Sequence, residues 1–171
     1  MHWLVTGISG SGKSRVMKQV VIPGWRANGV RVAVLDPLEA PGWGADFQTS
    51  DPFRFMDVVQ RSSGIVAVID EYAQVASDYK AAKRVEWCAT VARNRSILSY
   101  FLAQRSMMIP PNVRNQCTNA LLFQQTAADL AAVAELLNQP QCQEVVGYEK
   151  GLALMVRPFE KPQKIRVFHP K

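Results

Sequence analysis

At 171 residues, 48% apolar and 20% charged, the chain has the size and balance of one globular domain, and not of a disordered polymer. No apolar run nears the roughly 18 residues of a membrane span and no signal-peptide pattern opens the sequence, so neither insertion nor secretion is expected. Lys and Arg number 20 against 14 Asp and Glu; the net charge of +6 is compatible with a polyanionic partner without demanding one.

In chain order, His2–Thr6 reads as a strand and Ser14–Val21 as a helix, stopped or kinked at Pro23-Gly24. After the Asn28-Gly29 turn signal, Val30–Leu35 is a valine-rich strand. Asp36–Ser50 carries Pro and Gly and reads as a loop. Asp51 is a helix N-cap followed by Pro52 at the first helical position, and that helix runs to Arg61. Ile65–Ile69 is a wholly apolar strand, Tyr79–Arg93 a helix and Ile97–Ala103 a strand. Pro110-Pro111 break the segment after that strand. Ala120–Gln124 is a further strand. Thr126 caps the helix Ala127–Asn138, whose Leu130, Val133, Leu136 and Leu137 share one face. The tail reads as strands near Glu144–Tyr148, Leu152–Arg157 and Lys164–Phe168.

Apolar strands without period-2 alternation, separated by helices, predict an α/β domain. Its central sheet is mainly parallel and flanked by helices, with the closely spaced C-terminal strands added antiparallel. No repeat or linker interrupts residues 1–171, which read as a single domain. Cys88, Cys117 and Cys142 are widely spaced, and the only histidines are His2 and His169. That argues for reduced, buried thiols and against a disulfide framework or a zinc site.

The strongest motif is Gly7-Ile8-Ser9-Gly10-Ser11-Gly12-Lys13-Ser14, which matches G-x-x-x-x-G-K-[ST] between a strand and a helix. Glycines at 7, 10 and 12 let the backbone curl, so that N–H groups, those of Ser9 and Ser11 among them, point inward at phosphate oxygens. The helix N-terminus adds its positive end. In such a loop Lys13 reaches the β- and γ-phosphates of ATP and Ser14 holds Mg²⁺. A second signal is the strand IVAVI followed by Asp70-Glu71. At the end of a strand in a P-loop protein, Asp70 completes the Mg²⁺ site and Glu71 polarises a water for attack on the γ-phosphate.

In P-loop ATPases of the additional-strand, RecA-like type, one strand lies between the P-loop strand and the acidic strand. Its end meets the γ-phosphate. Gln104, after Ile97–Ala103, suits that position because an amide donates to phosphate and accepts from water. Arg93 and Arg95 precede the same strand. They suit a finger that reaches the γ-phosphate of a neighbouring subunit; Arg105 and Arg114 are weaker candidates for that role or for DNA phosphate contact.

GISGSGKS, IVAVIDE and ARNRSILSYFLAQRSMMIPPNVRNQCTNALLFQ together resemble the FtsK–HerA superfamily of DNA-pumping ATPases. The resemblance covers most of residues 2–138, and Asp36-Pro37 fits it too. Within that group the short chain is most similar to the compact genome-packaging ATPases of viruses and phages. The resemblance implies an ATP- and Mg²⁺-dependent ATPase acting as a homo-oligomeric ring, a hexamer or pentamer, on double-stranded DNA. It implies capsid or vertex proteins as partners, with a membrane-associated one among the options. It places the protein in the host cytoplasm or on the virion at the packaging vertex. Ser106 departs from the proline often found after the Gln-Arg pair.

Lys80, Lys83 and Arg84 share a helical face and are candidates for DNA phosphate contact, as is the tail cluster Lys161, Lys164, Arg166 and Lys171. Trp3, Trp25, Trp43 and Trp87 read as core or subunit-contact residues, with Trp43 in its GWG loop a candidate exposed anchor. Rival readings are an accessory P-loop ATPase in phage assembly or helicase loading, and a nucleotide kinase. Glu71 and Gln104 argue against the kinase, which needs an acceptor hydroxyl and no activated water.

Overall fold

The computed structural model describes residues 2–168; His169 and Lys171, both named above, lie outside them. The described residues build an eight-stranded sheet. In chain order the strands are β1 His2–Thr6, β2 Val32–Leu35, β3 Phe47–Thr49, β4 Val66–Ile69, β5 Leu98–Ala103, β6 Cys117–Leu122, β7 Leu152–Val156 and β8 Gln163–Arg166. Across the sheet they run β3-β2-β4-β5-β1-β6-β7-β8. The pairs from β3 through to β6 are parallel, while β6–β7 and β7–β8 are antiparallel. This is the expected α/β architecture, and β5 does lie between β1 and β4.

The missing alternation has a direct cause. Successive strand residues point to opposite faces, and here both faces are covered. Leu4, Ala33, Leu35, Ala67, Ile69, Phe101, Ala120 and Leu122 enter one core. Their neighbours Val5, Val32, Val34, Val66, Val68, Tyr100, Leu102 and Leu121 enter the other.

The first core is roofed by α3 Pro52–Gln60, α4 Tyr72–Val75, α5 Tyr79–Val85, α6 Trp87–Thr90, α7 Pro111–Arg114 and α8 Ala127–Leu137. The second has a thinner roof. It consists of a helix over 13–27, α1 Lys13–Val16 and α2 Ile22–Ala27 joined by a π-helical turn Met17–Val21, together with buried Trp43. The sequence predicts a stop or kink in this helix at Pro23; the structure carries it to Ala27. In the π turn the Ile22 N–H reaches back to the Met17 carbonyl, five residues earlier. That extra residue widens the ladder just where Pro23 has no N–H to give.

Local chemistry explains the caps. The Asp51 carboxylate accepts from the N–H groups of Phe53 and Arg54 at 2.8 and 3.2 Å. The Thr126 hydroxyl accepts from the Asp129 N–H at 3.4 Å. Several expected elements are corrected. The 36–50 loop contains β3, whose backbone pairs with β2. The single helix Tyr79–Arg93 is α5, α6 and a 3₁₀ turn Ala92–Arg95, preceded by an unforeseen α4. Glu144–Tyr148 is not a strand: Pro140–Gly147 form a 3₁₀ helix whose period of three buries Cys142 and Val145. Trp43 is no exposed anchor. It is 1% exposed, and its indole N–H donates to Asp36 at 2.8 Å. The three cysteines are reduced and buried, and burial pushes the thiols of Cys88 and Cys117 up to about 12.

His2 gives the fold a pH dependence. Its Nδ1 accepts the Ser99 N–H at 3.1 Å, so the native ring is neutral. Burial, helped by the nearby Arg93 charge, lowers its pKa from 6.5 to about 4. Between those values the unfolded chain binds the proton and the folded one does not, so stability falls as pH drops from 6.5 towards 4. At pH 5 the expected loss is about 2 kcal/mol. Urea melts at pH 7 and pH 5 measure it, and a His2→Asn variant should lose that share of the slope.

Candidate active site

The turn after β1 carries the Gly7–Ser14 motif, the candidate phosphate loop. Gly7 sits where any side chain would meet Phe123; a Cβ there would lie 2.5 Å from that residue's Cβ. Gly12 has φ +123, and a Cβ on it would run into the Phe168 ring. Both positions therefore need glycine for space as well as conformation. Lys13 is 6% exposed, and its Nζ donates to the carbonyls of Gly7 at 2.7 Å and Ile8 at 3.2 Å, drawing the loop round the ammonium. Burial holds its pKa below the usual lysine value, although Glu71 and Asp70 pull the other way.

β4 delivers the acidic pair. The Ser14 hydroxyl donates to Asp70 Oδ2 at 3.0 Å, and the Glu71 N–H donates to Asp70 Oδ1 at 3.0 Å. Burial raises the Asp70 pKa above the ordinary carboxylate value, against the lowering effect of those two bonds. A hydroxyl and a buried carboxylate beside a phosphate loop are the oxygen donors that suit Mg²⁺, which coordinates oxygen and retains several waters. Glu71 adopts a left-handed backbone, φ 42 and ψ 54, a conformation that costs a non-glycine residue energy and recurs at functional sites. It turns the chain sharply off β4, so its side chain meets the end of β5. There Gln104 Nε2 stands 3.5 Å from Glu71 Oε2. Ser9, Gly10, Gly12, Lys13, Ser14 and Glu71 line one cavity of about 300 Å³.

Asp36, which follows β2, is 1% exposed and supports this edge without entering the cavity. It accepts from the N–H groups of Leu38 and Ala40 as well as from Trp43.

The arginines divide. Arg93 and Arg95 precede β5, at the sheet end opposite the phosphate loop. Both are exposed, and Arg95 donates to the Gln60 carbonyl at the end of α3. Arg105 pairs with Asp129 at 3.1 Å, and Arg114 donates to the Ser106 carbonyl at 3.3 Å. The expected DNA-facing cations are partly committed to internal pairs. Lys83 binds Glu86 at 3.2 Å and Arg84 binds Asp57 at 2.6 Å, which leaves Lys80 exposed on α5. In the tail, Arg166 pairs with Glu149 and Lys164 lies 4.7 Å over the Tyr148 ring.

Sequence reasoning missed the outer wall of the cavity, made by Arg15, Lys150 and Phe168. Lys150 and Phe168 flank the β7–β8 hairpin, and no local pattern ties them to residue 12.

No protein-family model matches the chain. No curated protein matches its sequence. Solved structures do match. The DNA-packaging ATPase B204 of Sulfolobus Turreted Icosahedral Virus superposes with a TM-score of 0.77 over 98% of both chains at 14% identity. The genome-packaging NTPase B204 of Sulfolobus turreted icosahedral virus 2, in complex with ATP-gammaS, gives 0.77 over 98% of this chain and 97% of that one at 15% identity. VirB4 of Thermoanaerobacter pseudethanolicus gives 0.71 over 99% and 90% at 12% identity. The fold is thus that of P-loop ATPases, and it resembles the viral packaging type over nearly its whole length.

Proposed function

We propose that the chain is an ATPase that assembles into a ring and drives double-stranded DNA into a viral procapsid. One observation carries the hydrolytic part. Because β5 lies between β1 and β4, Gln104 and Glu71 meet beside the phosphate loop. A carboxylate and an amide side by side can hold a water between them and align it on a γ-phosphate. Lys13 and the loop N–H groups neutralise the phosphates. Ser14 and Asp70 would hold Mg²⁺, which would neutralise charge on the triphosphate. Fold likeness to packaging ATPases over nearly the full chain supports DNA as the load.

In this reading ATP binds between copies, and Arg93 of one copy serves the nucleotide of the next. Its exposure at the far sheet end supports that role, because it lies away from the cavity of its own chain. Arg95 is the lesser candidate because its guanidinium already closes the end of α3.

The test is subunit mixing. ATP hydrolysis should rise with duplex DNA, fall off on Arg93→Ala and on Glu71→Gln, and partly return when those two inactive variants are mixed. Mixing restores an interface with a competent loop on one side and an arginine on the other. A monomer under a non-hydrolysable ATP analogue and duplex DNA, or no recovery on mixing, would overturn the ring.

A further inference from the structure

The cavity beside the phosphate loop has an aromatic wall, Phe168, that phosphate chemistry does not use. After β6 the chain returns as the β7–β8 hairpin, and both ends of that hairpin come back to the loop. The Gly151 N–H donates to the Ser11 carbonyl at 3.3 Å, and the Val167 N–H donates to the Gly151 carbonyl at 2.8 Å. These bonds set Phe168 against Gly12. Any side chain at 12 would strike the ring, and any at 151 would strike the Phe168 backbone. The first residue after Ser14 completes the arrangement: the Arg15 guanidinium lies 4.2 Å from the centroid of the Phe168 ring. Arg15 is itself steadied by Gln19, whose Oε1 accepts from its Nε at 3.0 Å. Phe168, Arg15 and Lys150 then line the same cavity as Ser9, Gly10, Gly12, Lys13 and Ser14.

An aromatic ring is an odd neighbour for a phosphate. It is a suitable one for a flat heterocycle, which stacks on an aromatic face whatever its hydrogen-bonding pattern. A guanidinium on the ring adds a second flat, cationic surface. We infer that Phe168, held by Arg15, is the stacking platform for the nucleobase of the bound nucleotide, with Lys150 as a cation at the rim. This rests on the phosphate-loop reading of Gly7–Ser14 and goes beyond it. The loop grips the triphosphate, and the C-terminal hairpin makes the site one for nucleotides rather than for polyphosphate. Stacking discriminates little between bases, so ATP and GTP should bind with similar affinity.

The test compares ATP with inorganic tripolyphosphate by calorimetry on the full chain, for wild type, Phe168→Leu and Phe168→Tyr. Leucine keeps an apolar side chain against Gly12 but has no π face; tyrosine keeps the face. ATP should bind wild type more tightly than tripolyphosphate does. Phe168→Leu should weaken ATP about tenfold and leave tripolyphosphate unchanged, and Phe168→Tyr should restore ATP binding. Equal wild-type affinity for the two ligands, or an equal loss of both in Phe168→Leu, overturns the platform while leaving the phosphate loop standing. Wild type that binds neither ligand overturns both.

Discussion

Replacing Lys13 by alanine should lower kcat for ATP hydrolysis at least ~100-fold and leave the fold intact. The first half rests on position. Lys13 is the cation enclosed by the phosphate loop, within reach of two backbone carbonyls of that loop. Charge that accumulates on the γ-phosphate during transfer has no other buried lysine beside it among the described residues. The second half rests on energetics. Burial keeps the Lys13 pKa below its unfolded value. A base whose folded pKa is lowered makes the fold gain stability as pH rises from the folded pKa to the unfolded one. At neutral pH the charged ammonium is therefore a cost to the folded chain, offset in part by its two hydrogen bonds. Alanine removes both terms, so the melting curve should shift by no more than about 1 kcal/mol. Steady-state hydrolysis and a urea melt on the same preparation decide it. A large loss of stability would show that Lys13 braces the loop and would remove the basis for reading the lost activity as chemistry.

What was legible in the sequence depended on how local its cause is. The candidate phosphate loop is eight contiguous residues whose glycines set its own backbone, so its place between β1 and α1 could be read directly. The Asp51 and Thr126 caps are equally local, since each side chain bonds N–H groups two or three residues on. β1 and β4 were legible because a short apolar run after or before a turn has few other uses. β3 was not. Its three residues are a strand only because β2 offers a free edge to Phe47, Gln48 and Thr49. The helical stretch after Glu71 broke up for a similar reason. Its pieces follow the surface of the first core, with Tyr72, Val75, Val85 and Cys88 each dropping into it, and no single axis serves all four. The candidate site divides the same way. Lys13, Ser14, Asp70 and Glu71 are motif residues, and Gln104 needed only the strand order. Phe168 and Lys150 reach the cavity through two antiparallel pairings, β6–β7 and β7–β8, which composition and spacing leave undetermined. The basic surplus also changed meaning. Arg84, Lys83, Arg105 and Arg166 are held in ion pairs, so in the proposed ring a DNA-facing surface would draw on exposed cations such as Lys80, pooled over several copies.

Glu71→Gln should separate binding from chemistry. Glutamine has the size of glutamate and keeps a carbonyl oxygen that can accept from Gln104 Nε2, so the junction between β4 and β5 should survive. The strained backbone at residue 71 is also kept, since its left-handed conformation is imposed by the turn off β4 and by the bond from its own N–H to Asp70. Asp70, Ser14 and the loop are untouched, so ATP affinity should change by less than about threefold, the scale of a rim-charge effect. The amide cannot take a proton from water, and the expected fall in kcat is ~10²- to 10⁴-fold. The result is a protein that loads ATP and stops. In the proposed ring, that arrested state should also be the one that stays assembled on duplex DNA. Hydrolysis near the wild-type rate in Glu71→Gln would mean that the water is aligned by Gln104 alone. Lost ATP binding would mean that the Glu71 charge supports Lys13 in the loop, where its attraction already opposes the lowering of that lysine's pKa. Rapid-mix chemical quench for the first turnover, set against equilibrium binding of the same nucleotide, distinguishes these outcomes.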